Sequence, residues 1–209
     1  TLDWCEANLK PLLEALPRDQ RHYFGEDFGR SGDLTVLWPL SERANLTAHT
    51  PFILELRNAP FRTQEQILYY LVDRLPRFSG GALDARGNGQ ALAEFARQRY
   101  GPELIAEVAL SLGWYREHMP RVKADLEDRA IVFPRHADIL DDLRGLQIVN
   151  GVAKPPDVHG KSKEGQRHCD SAVALAMAEF TRATLCLPEP WATPVTKPRD
   201  YLKQLMRGY

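Results

Sequence analysis

Three aspartates carry the chemistry that this sequence can be asked about. Asp27 stands at the end of a run that reads as a strand (His22–Phe28), Asp84 at the end of another (Gly80–Asp84), and Asp170 opens a long helix (Ser171–Thr184). Strand ends and helix starts are where open α/β sheets place ligands. Carboxylates converging from three such elements can hold two hard divalent cations, Mg²⁺ or Mn²⁺, ~3.5–4 Å apart. A pair of that kind suits phosphodiester hydrolysis: one ion acidifies the attacking water and the other stabilises the leaving oxygen. Each acid also has an ordinary reading. Asp27 and Asp84 precede turns, where aspartate is common, and Asp170 could be a helix cap. Spacing alone does not choose between these readings.

Three other motifs are set aside. Gly160-Lys161-Ser162 has the end of a phosphate-binding loop, but Pro155 stands where the motif requires its first Gly. Asp27-Phe28-Gly29 spells a kinase tripeptide without the Gly-rich loop or the H-R-D loop that a kinase needs. His159, His168 and Cys169 match no zinc spacing, and Cys169 reads as a packing residue.

The elements that must position the three acids follow from periodicity. Leu9, Leu12, Leu13 and Leu16 give a helix over Leu2–Leu16, stopped by Pro17. His22–Phe28 and Leu34–Trp38 read as a hairpin around Gly29–Gly32, and Phe52–Leu56 as a third strand. Thr63–Leu75 reads as a helix capped by Thr63, with Gln66 three residues on and Pro76 as its stop. The strand ending at Asp84 leads through Ala85–Gly89 into a helix (Gln90–Arg99), then a strand (Leu104–Leu110). Trp114–Leu146 is mainly helical with a break near Ile131–Pro134, Gln147–Ala153 is a late strand, and Asn150–Arg167 is a polar, basic loop or hairpin. The acidic run Asp138, Asp141, Asp142 reads as an exposed helix face. Strands first, then strand–helix alternation, then a closing helix make a mixed α/β sheet flanked by helices.

Composition bounds the rest. The 209 residues suit one domain, against ~150 residues per domain. With 27 Lys and Arg against 28 Asp and Glu the net charge is −1, so any nucleic-acid contact must come from local patches. The longest apolar stretch, Ala172–Ala178, is far short of the ~20 residues of a membrane-spanning helix, and no signal peptide is recognisable. Three scattered cysteines, Cys5, Cys169 and Cys186, form no disulfide or zinc framework and point to a reducing compartment. A chain that starts at Thr1 is expected to be a piece of something longer.

The stretch Gly25-Glu26-Asp27-Phe28-Gly29-Arg30-Ser31-Gly32-Asp33-Leu34-Thr35-Val36-Leu37 resembles the first strand–turn–strand of the nuclease domain of phage large terminases, in particular the Mu-like branch. Ala82–Gly89 resembles that family's second acidic motif, and Arg167–Leu175 resembles its third, in which a polar cluster and Asp precede an Ala-rich helix. All three occur in the family's order, and the similarity runs from about His22 to Phe180. The resemblance implies a single RNase H-like (RuvC-type) domain over residues 21–186, with residues 1–20 left from an interdomain segment and a Pro-rich tail over 187–209. It implies a metal-dependent endonuclease that cuts concatemeric double-stranded DNA during packaging, holding two Mg²⁺ or Mn²⁺ ions. Carried over by position, the catalytic ligands are Asp27, Asp84 and Asp170. Asp33 matches a secondary acid sometimes near the metals, and His168 falls where it could order a water or contact phosphate.

The expected DNA contacts are Lys154, Lys161, Lys163 and Arg167 in the segment before Asp170, together with Arg30 and Arg86, each beside an expected ligand. No base-reading element is recognisable, so cutting is expected to be weakly sequence-specific. Expected partners are a packaging ATPase domain N-terminal to this one and missing from the chain, the portal, and the small terminase subunit, all in the host-cell cytoplasm with no membrane involved. The competing readings are a resolvase- or transposase-type nuclease of the same fold, and a catalytically silent module that docks on DNA.

Overall fold

The computed structural model describes residues 1–29, 34–156 and 167–185. Arg30, Asp33, Lys161, Lys163 and the 187–209 tail lie outside the described residues. The sheet is organised around β1 (Arg21–Asp27), which runs antiparallel to β2 (Leu34–Glu42) and parallel to β5 (Phe78–Asp84). β2 extends past Trp38 because its ladder with β1 continues until Glu42 meets Arg21. Its far edge is shared by two short strands, β3 (Ala48–His49) and β4 (Leu54–Arg57), so the strand expected at Phe52–Leu56 is shifted and accompanied by another. β6 (Ile105–Val108) pairs with β5, and β7 (Ile131–Val132) with β3, giving the order β6–β5–β1–β2–β3–β7 with β4 on β2.

Helices cover both faces. On one lie α3 (Phe61–Val72), α4 (Gly89–Tyr100) and the N-terminal helix, over a core holding Phe24, Leu37, Leu83 and Leu92. On the other, α5 (Leu112–Glu127), α6 (Ala137–Gly145) and α7 (Asp170–Thr184) enclose Tyr23, Val36, Trp38 and Ala82. Every residue of α7 from Asp170 to Glu179 is buried, as expected of a helix laid across the middle of a sheet. Its small side chains permit close approach: Ala174 and Ala178 come so near β1 that a Cβ on Gly25 would run into the Ala174 carbonyl and the Ala178 amide.

Local departures from the expected elements have local causes. The N-terminal helix is divided into α1 (Leu2–Trp4), a π-helical turn (Cys5–Leu9) and α2 (Lys10–Glu14). The widened turn precedes Pro11, whose ring lacks an N–H and crowds the preceding turn. This segment, expected as an interdomain remnant, buries Cys5, Leu9, Leu13 and Leu16 in the domain's own core. α3 starts at Phe61 rather than after Thr63: Pro60 supplies the fixed entry, and its carbonyl accepts from the amides of Thr63 and Gln64. The late strand is a hairpin, β8 (Gln147–Val149) and β9 (Val152–Lys154), turned by Asn150 and Gly151 at φ 51° and 77°. Among the described residues, no helix is long and apolar enough to cross a membrane.

Candidate active site

In the parallel β1–β5 ladder Gly25 faces Ala82 and Glu26 faces Leu83; the next residues along are Asp27 and Asp84. The two acids therefore stand side by side at the C-terminal ends of neighbouring strands. Side chains alternate along a strand, and Tyr23, Gly25 and Ala82 face α7, so Asp27 and Asp84 face it too. α7 runs back over these strands from Asp170, at its first position, to Thr181 and Leu185 above Gly80 at the other end. Three elements distant in sequence thus deliver the three expected carboxylates to one cleft of about 430 Å³, lined also by Arg86, Tyr115, Lys154 and His168. A larger cleft of about 630 Å³ lies across β1, between the start of α3 and the start of α4. Its walls, among them Phe28, Phe61 and Phe95, hold no carboxylate, histidine or cysteine, whereas the smaller one holds the three acids.

The electrostatics of the acid cleft are those of crowded anions. Burial pushes the Asp27 carboxyl well above the usual carboxylate range, and Asp170 and Asp84 push it further, with Arg86 pulling the other way. Asp170 is raised mainly by burial, and the His168 amide, donating to it at 3.1 Å, opposes that shift. Asp84 is held differently: the Arg86 Nε and an Nη donate to its two oxygens at 2.9 and 3.0 Å, and another Nη reaches the Leu110 carbonyl. Among the described residues no three acid, histidine or cysteine side chains close around one metal-sized point. The donor set nonetheless fits a divalent cation. It consists of hard oxygens carrying more negative charge than Arg86 and Lys154 offset, with Asp84 drawn aside onto Arg86.

Two residues that the sequence left on the surface are inside. Asp142, expected on an exposed face, is 3% exposed: its carboxylate accepts from the amide of Ser171 at 3.0 Å and from the Arg167 guanidinium at 2.8 and 3.1 Å. Arg167, expected on DNA phosphate, is committed instead to Asp142, to Glu55 at 2.8 Å and to the Ser171 hydroxyl at 2.7 Å. Three carboxylates within reach, counting Asp138, outcompete solvent for its donors. Lys154 and Arg86 do line the cleft, as does His168, while Cys169 is buried as packing.

Sequence reasoning also passed over residues behind the acids. The turn after Asp27 is pinned from the opposite face, where the Gly29 amide donates to Thr35 Oγ1 at 2.8 Å and Gln64 Nε2 donates to the Gly29 carbonyl at 3.1 Å. Glu26, fully buried beside Asp27, has no hydrogen-bond partner for either oxygen among the described residues, and burial with the nearby Asp84 pushes its carboxyl to about 8. A glutamate inside an apolar central strand was the signal for it. Tyr115, 6% exposed in the cleft wall, had none, because only the packing of α5 brings it there.

No family model matches the chain. It is 47% identical over 180 residues to the probable terminase large subunit gp28 of Escherichia phage Mu, covering 84% of this chain and 32% of that protein. It is 43% identical over 178 residues to the Mu-like prophage FluMu protein gp28 of Haemophilus influenzae, covering 85% of this chain and 35% of that one. The chain thus spans about a third of the length of these relatives. Among solved structures, the magnesium-bound large terminase nuclease of thermophilic phage G20c superposes with TM-score 0.60 at 20% identity, over 78% of this chain and 82% of that one. The chain has the fold of a large-terminase nuclease. In this fold the motifs around Asp27, Asp84 and Asp170 lie on β1, β5 and α7. The G20c nuclease has also been solved with zinc and with cobalt bound.

Proposed function

We propose that this chain is the nuclease part of a Mu-type large terminase, a metal-dependent endonuclease that cuts concatemeric double-stranded DNA during packaging. The observation that carries the reading is the convergence of Asp27, Asp84 and Asp170 on one cleft. These three residues would hold two divalent cations, Mg²⁺ or Mn²⁺, which when bound supply an activated water and charge stabilisation at the leaving oxygen. Asp27, partly buried at the end of β1, and Asp170, buried at the start of α7, are held in fixed positions by the β1–β5 ladder and by α7, so they present preorganised oxygens. Lys154 at the end of the β8–β9 hairpin meets a backbone phosphate, and Arg86, once it leaves Asp84, meets another. Arg30, Lys161 and Lys163, outside the described residues, are further phosphate contacts proposed from the sequence, and His168, which lines the cleft, is proposed to order water or phosphate. The contacts are to backbone, so cutting has little sequence specificity. The partners are an ATPase domain, the portal and the small subunit, in the host-cell cytoplasm.

The pairing of Asp84 with Arg86 favours a second reading, a silent DNA-docking module in which the arginine permanently replaces a metal. Nicking of supercoiled plasmid with Mn²⁺, with Mg²⁺ and with chelator separates the two. The nuclease reading expects metal-dependent cutting that Asp27→Ala, Asp84→Ala and Asp170→Ala each abolish. Cutting that survives all three would place the site elsewhere, and the silent module expects neither cutting nor aspartate-dependent Mn²⁺ binding.

A further inference from the structure

We propose that Arg167 and Asp142 are positioning residues: they form an internal clamp that sets the Asp170 carboxylate in the cleft, and Arg167 takes no part in DNA contact. The inference rests on the metal reading of the cleft and adds two residues to it.

The start of α7 needs outside help. Its N-cap, Cys169, sits in the left-handed region at φ 66° and ψ 24° and supplies no side-chain cap. The task falls to another helix: Asp142 on α6 accepts the Ser171 amide at 3.0 Å. The same carboxylate holds Arg167 through two donors, and Arg167 in turn donates to the Ser171 hydroxyl at 2.7 Å and reaches Glu55 on β4 at 2.8 Å. The residues on both sides of Asp170 are thereby tied to α6 and to the sheet. The end of α6 presses on the same turn, since a Cβ on Gly145 would lie 2.9 Å from Cys169 Sγ. Asp170 follows a strained residue and precedes a clamped one, so its direction is set by the clamp. The side-chain exposures, 15% for Arg167 and 3% for Asp142, fit a sealed brace and leave no open face for a phosphate.

The test measures Mn²⁺ binding by the whole chain, by electron paramagnetic resonance of free Mn²⁺, well below each variant's unfolding temperature. Duplex DNA affinity is measured separately in chelator over a salt series. For Arg167→Ala the clamp expects Mn²⁺ half-saturation to rise about 10-fold or more, the range for residues that orient metal ligands. DNA affinity and its salt slope are expected to stay as in the parent. Arg167→Lys keeps the charge but loses the fork, so it should fall between the two and guards against an unfolded alanine variant. Asp142→Asn, which still accepts from Ser171, should be milder than Asp142→Ala, and Arg167→Ala with Asp142→Ala should be far from additive. Unchanged Mn²⁺ binding in Arg167→Ala and Arg167→Lys would overturn the clamp. So would weaker DNA binding with a salt slope shallower by about one charge, the signature of a phosphate contact. Parent binding of Mn²⁺ that Asp170→Asn leaves intact would instead remove the metal reading, and the clamp's purpose with it.

Discussion

Two arginine–aspartate pairs flank the acid cleft, and they are built in opposite ways. Arg86 and Asp84 are two residues apart on one turn, and the arginine side chain is half exposed. Arg167 and Asp142 are joined across 25 positions, with both side chains inside and a second carboxylate, Glu55, on the same guanidinium. The first pair can open without moving any element, because solvent replaces what the arginine gives up. The second cannot open without parting α6 from the start of α7. The pair in the cleft is local and open to solvent through its arginine, and the pair behind it is non-local and closed.

Glu26, a carboxylate with no arginine partner among the described residues, sharpens the contrast most. Its folded value of about 8 lies above the ordinary 4.5, so the folded state holds a proton that the unfolded chain releases. Its cost is absent below about pH 4.5, grows as pH rises and is complete above about pH 8. Glu26→Gln should therefore raise unfolding free energy by up to roughly 5 kcal/mol at pH 9 in chelator and by little at pH 4, at about 1.4 kcal/mol per pKa unit. Urea titrations at the two pH values check it, and equal effects at both would remove Glu26 as the source.

Asp142→Ala comes next. Stripping a buried guanidinium of its main partner should cost about 3 kcal/mol, the low end for a broken buried pair because Glu55 remains. Asp84→Asn should do the reverse, changing urea stability less than Asp142→Ala does, because its arginine is half exposed, while lowering plasmid cleavage on the order of 100-fold. Were Asp84→Asn the more destabilising of the two, the contrast would collapse. The smallest effect belongs to Arg86→Ala. Stability should move less than in Asp142→Ala, and Mn²⁺ should bind a few-fold more tightly because Asp84 is no longer shared. Weaker Mn²⁺ binding would show that Arg86 orients Asp84 for the metal rather than competing with it.

Much of this was legible in the chain. The β1–β2 hairpin, the strand ending at Asp84, the helix after it and the α7 helix follow from alternation, turn glycines and an alanine-rich run, all local signals. The boundaries moved where a neighbour decided them, as at β2, which runs on because β1 lies beside it, and at α3, which Pro60 starts early. Arg167 and Asp142 were misread for the same reason. A basic residue in a polar loop and an acid in an acidic helix both look solvated until the fold puts one against the other.

The sequence by itself determined which residues could do the chemistry and on which kind of element each stands, because strand ends, turns and helix starts are set by neighbours a few positions away. Only the tertiary structure decided that Asp27 and Asp84 are adjacent, that Asp170 is laid over them, and which arginine faces the cleft and which is locked behind it. Those facts depend on strand register, on the passage of α7 over Gly25 and on burial, and each is a relation between segments far apart in the chain.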